Sequence, residues 1–179
     1  MTCLKLEEEV LISFFTSKIM KRNVFGIINL VFILSTLKVA SSCDPGWSDA
    51  DSVGLGCLKF SMDPMTYQEA NTFCYNHSAY LVEIHDTDQM DFMVMELQLL
   101  ETFVGKRNYW AGGTDMNREG QWYWSHSLRP IGDYVWHPSQ PNEGIQANYF
   151  GFLFIFEYYG ADIVSDYDGA FPICQRALL

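Results

Sequence analysis

The sequence predicts an α+β domain, two helices followed mostly by strands. Two segments in the middle of the chain carry apolar residues at helical spacing. The region after them is dense in aromatic residues and glycine, and places tryptophans two apart, as in a strand. Four cysteines are spread from position 43 to position 174. No internal repeat or interdomain linker interrupts the pattern. The 179 residues suit one domain plus a leader, and 49% hydrophobic with 16% aromatic content is a globular composition.

Residues 20–42 have the three-part layout of a secretory signal peptide. Met20-Lys21-Arg22 is a basic start, Val24–Leu37 is a largely apolar run, and Ala40-Ser41-Ser42 offers small residues before Cys43. Residues 1–19 fit no part of that layout, and Glu7, Glu8 and Glu9 have the wrong sign for it. The expectation is translation from Met20, with residues 1–19 a spurious extension and residues 43–179 the mature domain. A long leader and a signal anchor are the alternatives. Against the anchor, the run is shorter than the roughly 20 apolar residues a span needs, and Lys38 closes it.

Residues 1–42 hold five of the 11 Lys+Arg and three of the 22 Asp+Glu, which leaves a formal charge of −13 on residues 43–179. That argues against nucleic acid and anionic membrane surfaces as partners. It suits a secreted, extracellular protein and is compatible with divalent cations. With the leader removed, Cys43, Cys57, Cys74 and Cys174 remain. An even count in a secreted chain reads as two disulfides with three possible pairings. A structural metal needs tighter spacing such as C-x-x-C, which is absent.

From Cys43 to Phe60 the chain is turn-rich, with a hairpin turn at Gly54-Leu55-Gly56 and Trp47 placed to pack over it. Thr66-x-x-Glu69 is a capping box that opens a helix through about Asn76 and carries Cys74 on it. Asn76-His77-Ser78 is a sequon, which makes Asn76 a candidate glycosylation site. Ala79–Ile84 reads as a strand. Asp86 or Thr87 caps a second helix from Asp88 to about Phe103. Met90, Met93, Val94, Leu97 and Leu100 form its buried stripe, with Met90, Met93 and Met95 as core filler.

The stretch from Tyr109 to Gly144 contains four of the five tryptophans: Trp110, Trp122, Trp124 and Trp136. Trp122 and Trp124 are predicted to face one side of a strand, and Gly112, Gly113 and Gly120 supply tight backbone. The stretch ends at Gln140-Pro141-Asn142. W-A-G-G, then E-G-Q-W-Y-W, then a tryptophan and Q-P-N, in that order, resembles the C-type lectin-like domain. Its G-T-D and E-G variants look most like arthropod members.

The resemblance covers about the C-terminal three quarters of the chain. It implies two helices flanking antiparallel strands, with a long binding loop. It selects the pairings Cys43–Cys57 and Cys74–Cys174. A further loop disulfide usual in the family has no cysteines here. Phe150 and Gly169 fall near its positions, and the aromatic run Asn148–Gly160 is expected to hold the region by packing. In sugar-binding members the carbonyl side chains flanking a cis proline hold calcium and sugar hydroxyls. Carried over, Gln140 and Asn142 are carbohydrate and calcium ligands. Asn148 stands where a glutamate ligand is usual. The W-N-D motif is here Val164-Ser165-Asp166, so Asp166 is the remaining acid ligand and Glu143 adds a second only if it turns inward.

The implied function is a secreted carbohydrate-binding lectin with weak calcium dependence and a part in innate immune recognition of glycans. The alternative is a calcium-independent module that binds a protein. His77, His85, His126 and His137 show no catalytic or metal spacing, although His137 lies near Gln140. No nucleophile elbow, P-loop, H-E-x-x-H or Rossmann fingerprint occurs, so no enzymatic activity is expected.

The leader reading is checked by intact mass of the secreted protein. The mature chain should begin at or within a few residues of Cys43. Recovery of the Val24–Leu37 segment on secreted protein would overturn it.

Overall fold

The computed structural model describes residues 43–142 and 144–177. Residues 1–42, Glu143 and the last two residues lie outside the described residues, as do the expectations of a leader and of an inward-turned Glu143 that fall on them. The strands are β1 (Ser48–Asp49), β2 (Cys57–Phe60), β3 (Tyr80–Leu81), β4 (Asn108–Thr114), β5 (Tyr123–Trp124), β6 (Ala147–Phe152), β7 (Gly160–Val164) and β8 (Ala170–Arg176). The helices are α1 (Tyr67–Asn76) and α2 (Thr87–Val104). The strand order is β1-β2-β8-β4-β6-β7, with β3 added on β8 and β5 on β4. Among the described strands, β4 and β8 run parallel and the other ladders are antiparallel. This is the predicted α+β architecture.

Both helices start where the caps place them. Thr66 accepts the Glu69 N–H through Oγ1, and the Glu69 carboxylate accepts the Thr66 N–H at 2.9 Å. Asp86 accepts the Gln89 N–H at 2.8 Å and opens α2. Each satisfies a donor that the first helical turn leaves unpaired. Met90, Met93 and Leu97 are buried on α2 as the periodicity requires. Met95 is not core filler: it is 59% exposed. Two residues beyond Met93 is about 200° around the helix, so it faces away from the core. The strand expected over Ala79–Ile84 pairs only at Tyr80–Leu81. Beyond it the chain turns to a different task. The buried Glu83 carboxylate accepts the backbone N–H groups of His126 and Ser127 at 2.7 and 3.0 Å.

The β4–β6–β7 sheet separates two apolar clusters. On one side Trp110, Tyr149 and Ile163 pack with Tyr67, Ala70 and Cys74 of α1. On the other, Tyr109, Ala111, Phe150 and Phe152 pack with Met90, Met93 and Leu97 of α2. The alternation along β4 and β6 is the period of two that puts successive side chains on opposite faces. Disulfides join Cys43 to Cys57 and Cys74 to Cys174, separated by 14 and 100 residues. The second ties α1 to the strand that pairs with β2, β3 and β4. Trp47 lies between the Arg176 guanidinium, 4.1 Å from its ring centre, and the Lys59 ammonium at 5.6 Å.

Gly112 and Gly113 are strand residues without room for a side chain. A Cβ on Gly112 would sit 2.7 Å from the Leu81 carbonyl oxygen, and one on Gly113 would sit 2.6 Å from Phe150 Cβ. Phe150 fills that space. Its ring meets Trp124, Trp136 and Phe152 edge-on, at centroid distances of 5.4, 4.9 and 5.2 Å. The region without the loop disulfide is therefore packed on Phe150. Trp122 and Trp124 contact this one cluster, as their spacing predicts.

Trp124 is fully buried, so Trp124→Ala should cost about 3–5 kcal/mol. An unchanged melting temperature would contradict that packing. Cys174→Ala should be more damaging than Cys57→Ala, because the loop it closes is worth roughly 4–5 kcal/mol in the chain-entropy account and the 14-residue loop about 3. Thermal unfolding of the two variants side by side measures the difference.

Candidate functional site

The loop ahead of β6 is fixed to the sheet at several points. A single helical turn, Asp133–Val135, buries Val135. Trp136 pairs with Gly160, and the His137 N–H donates to the Gly160 carbonyl at 3.0 Å. The Gln140 N–H then donates to the His137 carbonyl at 2.8 Å. The Gln140–Pro141 peptide is cis. Directly after it, the Asn142 N–H donates to both oxygens of Asp162, at 3.1 and 3.0 Å. Asp162 is a buried carboxylate in the middle of β7, opposite Phe150 in the β6–β7 register. Paired positions share a face of a ladder, so the acid and the Phe150 ring lie on the loop side together.

Two polar atoms here lack partners among the described residues. Gln140 Oε1 is buried and accepts no hydrogen bond. So does one oxygen of Asp115, whose other oxygen takes the Gly120 N–H at 2.8 Å. Asp115 also reaches Asn148: its N–H and the Thr114 hydroxyl donate to the Asn148 carbonyl at 3.3 and 2.7 Å. The Asn148 amide donates to the Ile145 carbonyl at 3.2 Å. A buried oxygen without a donor is costly unless a ligand supplies one.

The Lectin C-type domain family model matches residues 63–148. This chain carries a C-type lectin-like domain. Among known proteins, the lectin domain is similar to a perlucin-like protein of Mytilus galloprovincialis, 28% identical over 74% of this chain and 82% of that protein. It is also similar to the galactose-specific lectin nattectin of Thalassophryne nattereri, 28% identical over 64% of this chain and 68% of that one. Among solved structures, the lectin CEL-I of Cucumaria echinata superposes with a TM-score of 0.65 at 19% identity, covering 76% of this chain and 99% of CEL-I. The mouse scavenger receptor C-type lectin carbohydrate-recognition domain does so at 0.63 and 22%, covering 76% and 99%. At these identities the structural likeness is one of fold. Members of the family bind carbohydrate and are not enzymes.

Within the lectin domain the structure brings Gln140, Asn142 and Asp162 together. Asp162 was not among the residues expected from the sequence. Asp166, which was, lies in the exposed turn beyond β7 with Ser165. The Q-P-N loop is thus tied to Gly160 and Asp162 of β7. A signal for Asp162 existed: an acid inside the apolar run G-A-D-I-V must find a partner once that run is a buried strand. Asp115 was missed for the same reason, as the buried acid directly after β4, a strand buried from Tyr109 to Thr114. His137 stacks on Phe156 at 4.3 Å and meets the Ser139 hydroxyl at 2.7 Å. Asn76 is exposed at the end of α1, with Ser78 exposed beside it. Among the described residues, no group of three or more His, Cys, Asp or Glu side chains could hold a metal ion.

Asp162→Ala should release the Asn142 amide. Hydrogen exchange across residues 138–146 should speed up in that variant and stay at the native rate in Asp166→Ala. Equal exchange in both would mean that Asp162 does not tie the loop down.

Proposed function

We propose that the domain binds a neutral carbohydrate weakly through Gln140 and Asn142, assisted by calcium, in a secreted protein. The observation that carries this reading is the buried, unpartnered Gln140 Oε1 beside an Asn142 tied by its backbone to Asp162. Each amide offers one carbonyl oxygen and an NH2 group, the pair of functions that a sugar hydroxyl needs. A calcium ion takes six to eight oxygens and is held more tightly as carboxylates are added. The donors here are the amides of Gln140, Asn142 and Asn148 with the Asp162 carboxylate, and Asp166 stands further out as a second acid. This set fits an ion held loosely, at about 10⁻⁴–10⁻³ M as in other extracellular modules. When bound, the ion would supply positive charge for sugar hydroxyls to coordinate.

Secretion is supported by the leader-like residues 20–42 and by the two disulfides, which persist in oxidising compartments. No described helix is long and apolar enough to cross a membrane. Asn76 is placed to accept a glycan, and recognition of microbial or host glycans is the role that suits such a domain. The name of nattectin specifies galactose, while Q-P-N resembles a mixture of the family's mannose-type and galactose-type motifs. Both sugars are therefore the probes. A second reading, a calcium-independent module for a protein ligand, draws on Ile145, 77% exposed, whose carbonyl is tied to Asn148.

Calorimetry separates the two. Gln140→Glu should tighten calcium binding severalfold by adding a carboxylate, and Asp162→Ala should weaken it at least tenfold. If Gln140→Glu gains nothing and the wild type binds methyl α-mannoside or methyl α-galactoside equally well in chelator, calcium has no part. If neither sugar binds under any condition, the protein-binding reading stands in its place.

A further inference from the structure

An open groove of about 860 Å³ borders the Q-P-N loop, and Gln140 and Pro141 are part of its lining. Its floor is aromatic. Trp122 and Trp136 meet edge-to-face at 4.8 Å, and Trp136 rests in turn on Phe150 at 4.9 Å, so the platform is braced by the core. Ile131 and Leu128 line the walls, and the polar lining comes from Gln121, Tyr123, Asp133, His137 and Gln140. No lysine or arginine lines it. The volume falls within the range of roughly 300–1,000 Å³ that built ligand sites occupy, and exceeds what one pyranose ring fills.

Leu128 adds an independent sign. It sits at the groove with φ 59°, in the left-handed region, and is 73% exposed. The turn around it is tight, with its N–H on the Trp124 carbonyl and the Trp124 N–H on the Arg129 carbonyl, both at 2.8 Å. Asparagine or glycine would take that backbone at lower cost, and neither would put an apolar side chain in water. Stability alone gives no reason for a leucine there. Non-glycine residues in such conformations cluster at ligand sites.

We propose that this groove is a subsite for the second and third rings of a neutral oligosaccharide whose first ring lies on Gln140 and Asn142. This rests on the loop reading proposed above. The apolar faces of pyranose rings stack on tryptophan, and the surrounding amides and the Asp133 carboxylate accept and donate to ring hydroxyls. The lining carries Asp133 and no lysine or arginine, and the His137 ring is engaged with Phe156 and Ser139, so the groove disfavours carboxylated and sulfated sugars. The groove meets the loop at Gln140, so rings bound in the two places belong to one chain.

The test is calorimetry in 10 mM calcium chloride with two probe series, methyl α-mannoside against mannotriose and methyl α-galactoside against galactotriose. In the series that binds, the wild type should prefer the trisaccharide by about tenfold, the range expected for aromatic stacking. Trp122→Ala should reduce that preference to less than about twofold. Leu128→Asn should reduce it too, while its melting temperature stays at or above that of the wild type, which guards against simple loss of fold. Asn142→Ala should weaken both members of a series together. Equal affinity of the wild type for mono- and trisaccharide overturns the groove and leaves the loop reading intact. So does a preference retained in both groove variants. No binding in either series overturns the loop reading, and the subsite with it.

Discussion

The edge-on packing of Phe150 against Trp124, Trp136 and Phe152 is the contact on which the loop side of the domain depends. The ring needs empty space on two neighbouring strands, and glycine provides it on both. A Cβ on Gly113 would collide with Phe150, and one on Gly160 would run into its ring. Through Trp136 the same ring supports the loop that carries Gln140 and Asn142, and through Trp124 it supports β5. Relatives in this fold family usually brace the region with a disulfide. Here a buried aromatic cluster does so, and its strength comes from removing large apolar surfaces from water.

A packed loop can hold polar groups that a free one could not. The Asn142 N–H is fixed on Asp162, and that acid lies beside Phe150 on the strand pair that the ring anchors. Gln140 Oε1 is held out of water without a donor, a costly state that a ligand hydroxyl or an ion relieves. Few carboxylates share the loop, so charge is sparse and hydrogen-bonding groups are many. On the proposed reading, that balance suits weak, polar recognition over tight cation capture, and the aromatic groove beside it would add affinity that needs no ion.

Much of the fold was legible in the chain. The Thr66 and Asp86 caps set the helix starts, because short-range hydrogen bonding decides them. The apolar stripe of α2 picked out Met90, Met93 and Leu97, and the four cysteines with the family pattern set both disulfides. Q-P-N marked the loop. Met95 was misjudged because residue type suggested burial while its angle around the helix decided exposure. The strand at Tyr80 was overextended because Val82–Ile84 are buried without regular ladder pairing, and burial alone imitates strand periodicity.

The acids of the site divide along the same line. Sequence order offered Asp166 and the tertiary structure brought Asp162, because a register between β6 and β7 sets which acid lies opposite Phe150. No local signal carries that register: it follows from which side chains the aromatic cluster admits. By itself the sequence determined the helix starts, a cysteine count that allows two crosslinks and no third, and the amide pair around Pro141, while the resemblance to the family selected which cysteines pair. Only the tertiary structure decided which carboxylate holds the loop, which amide oxygen goes unpaired, and that Trp122, Leu128 and Gln140 share one groove. Those relations join positions distant along the chain that meet only when the core closes, as Asn142 and Asp162, 20 residues apart, do through the amide-to-carboxylate bonds.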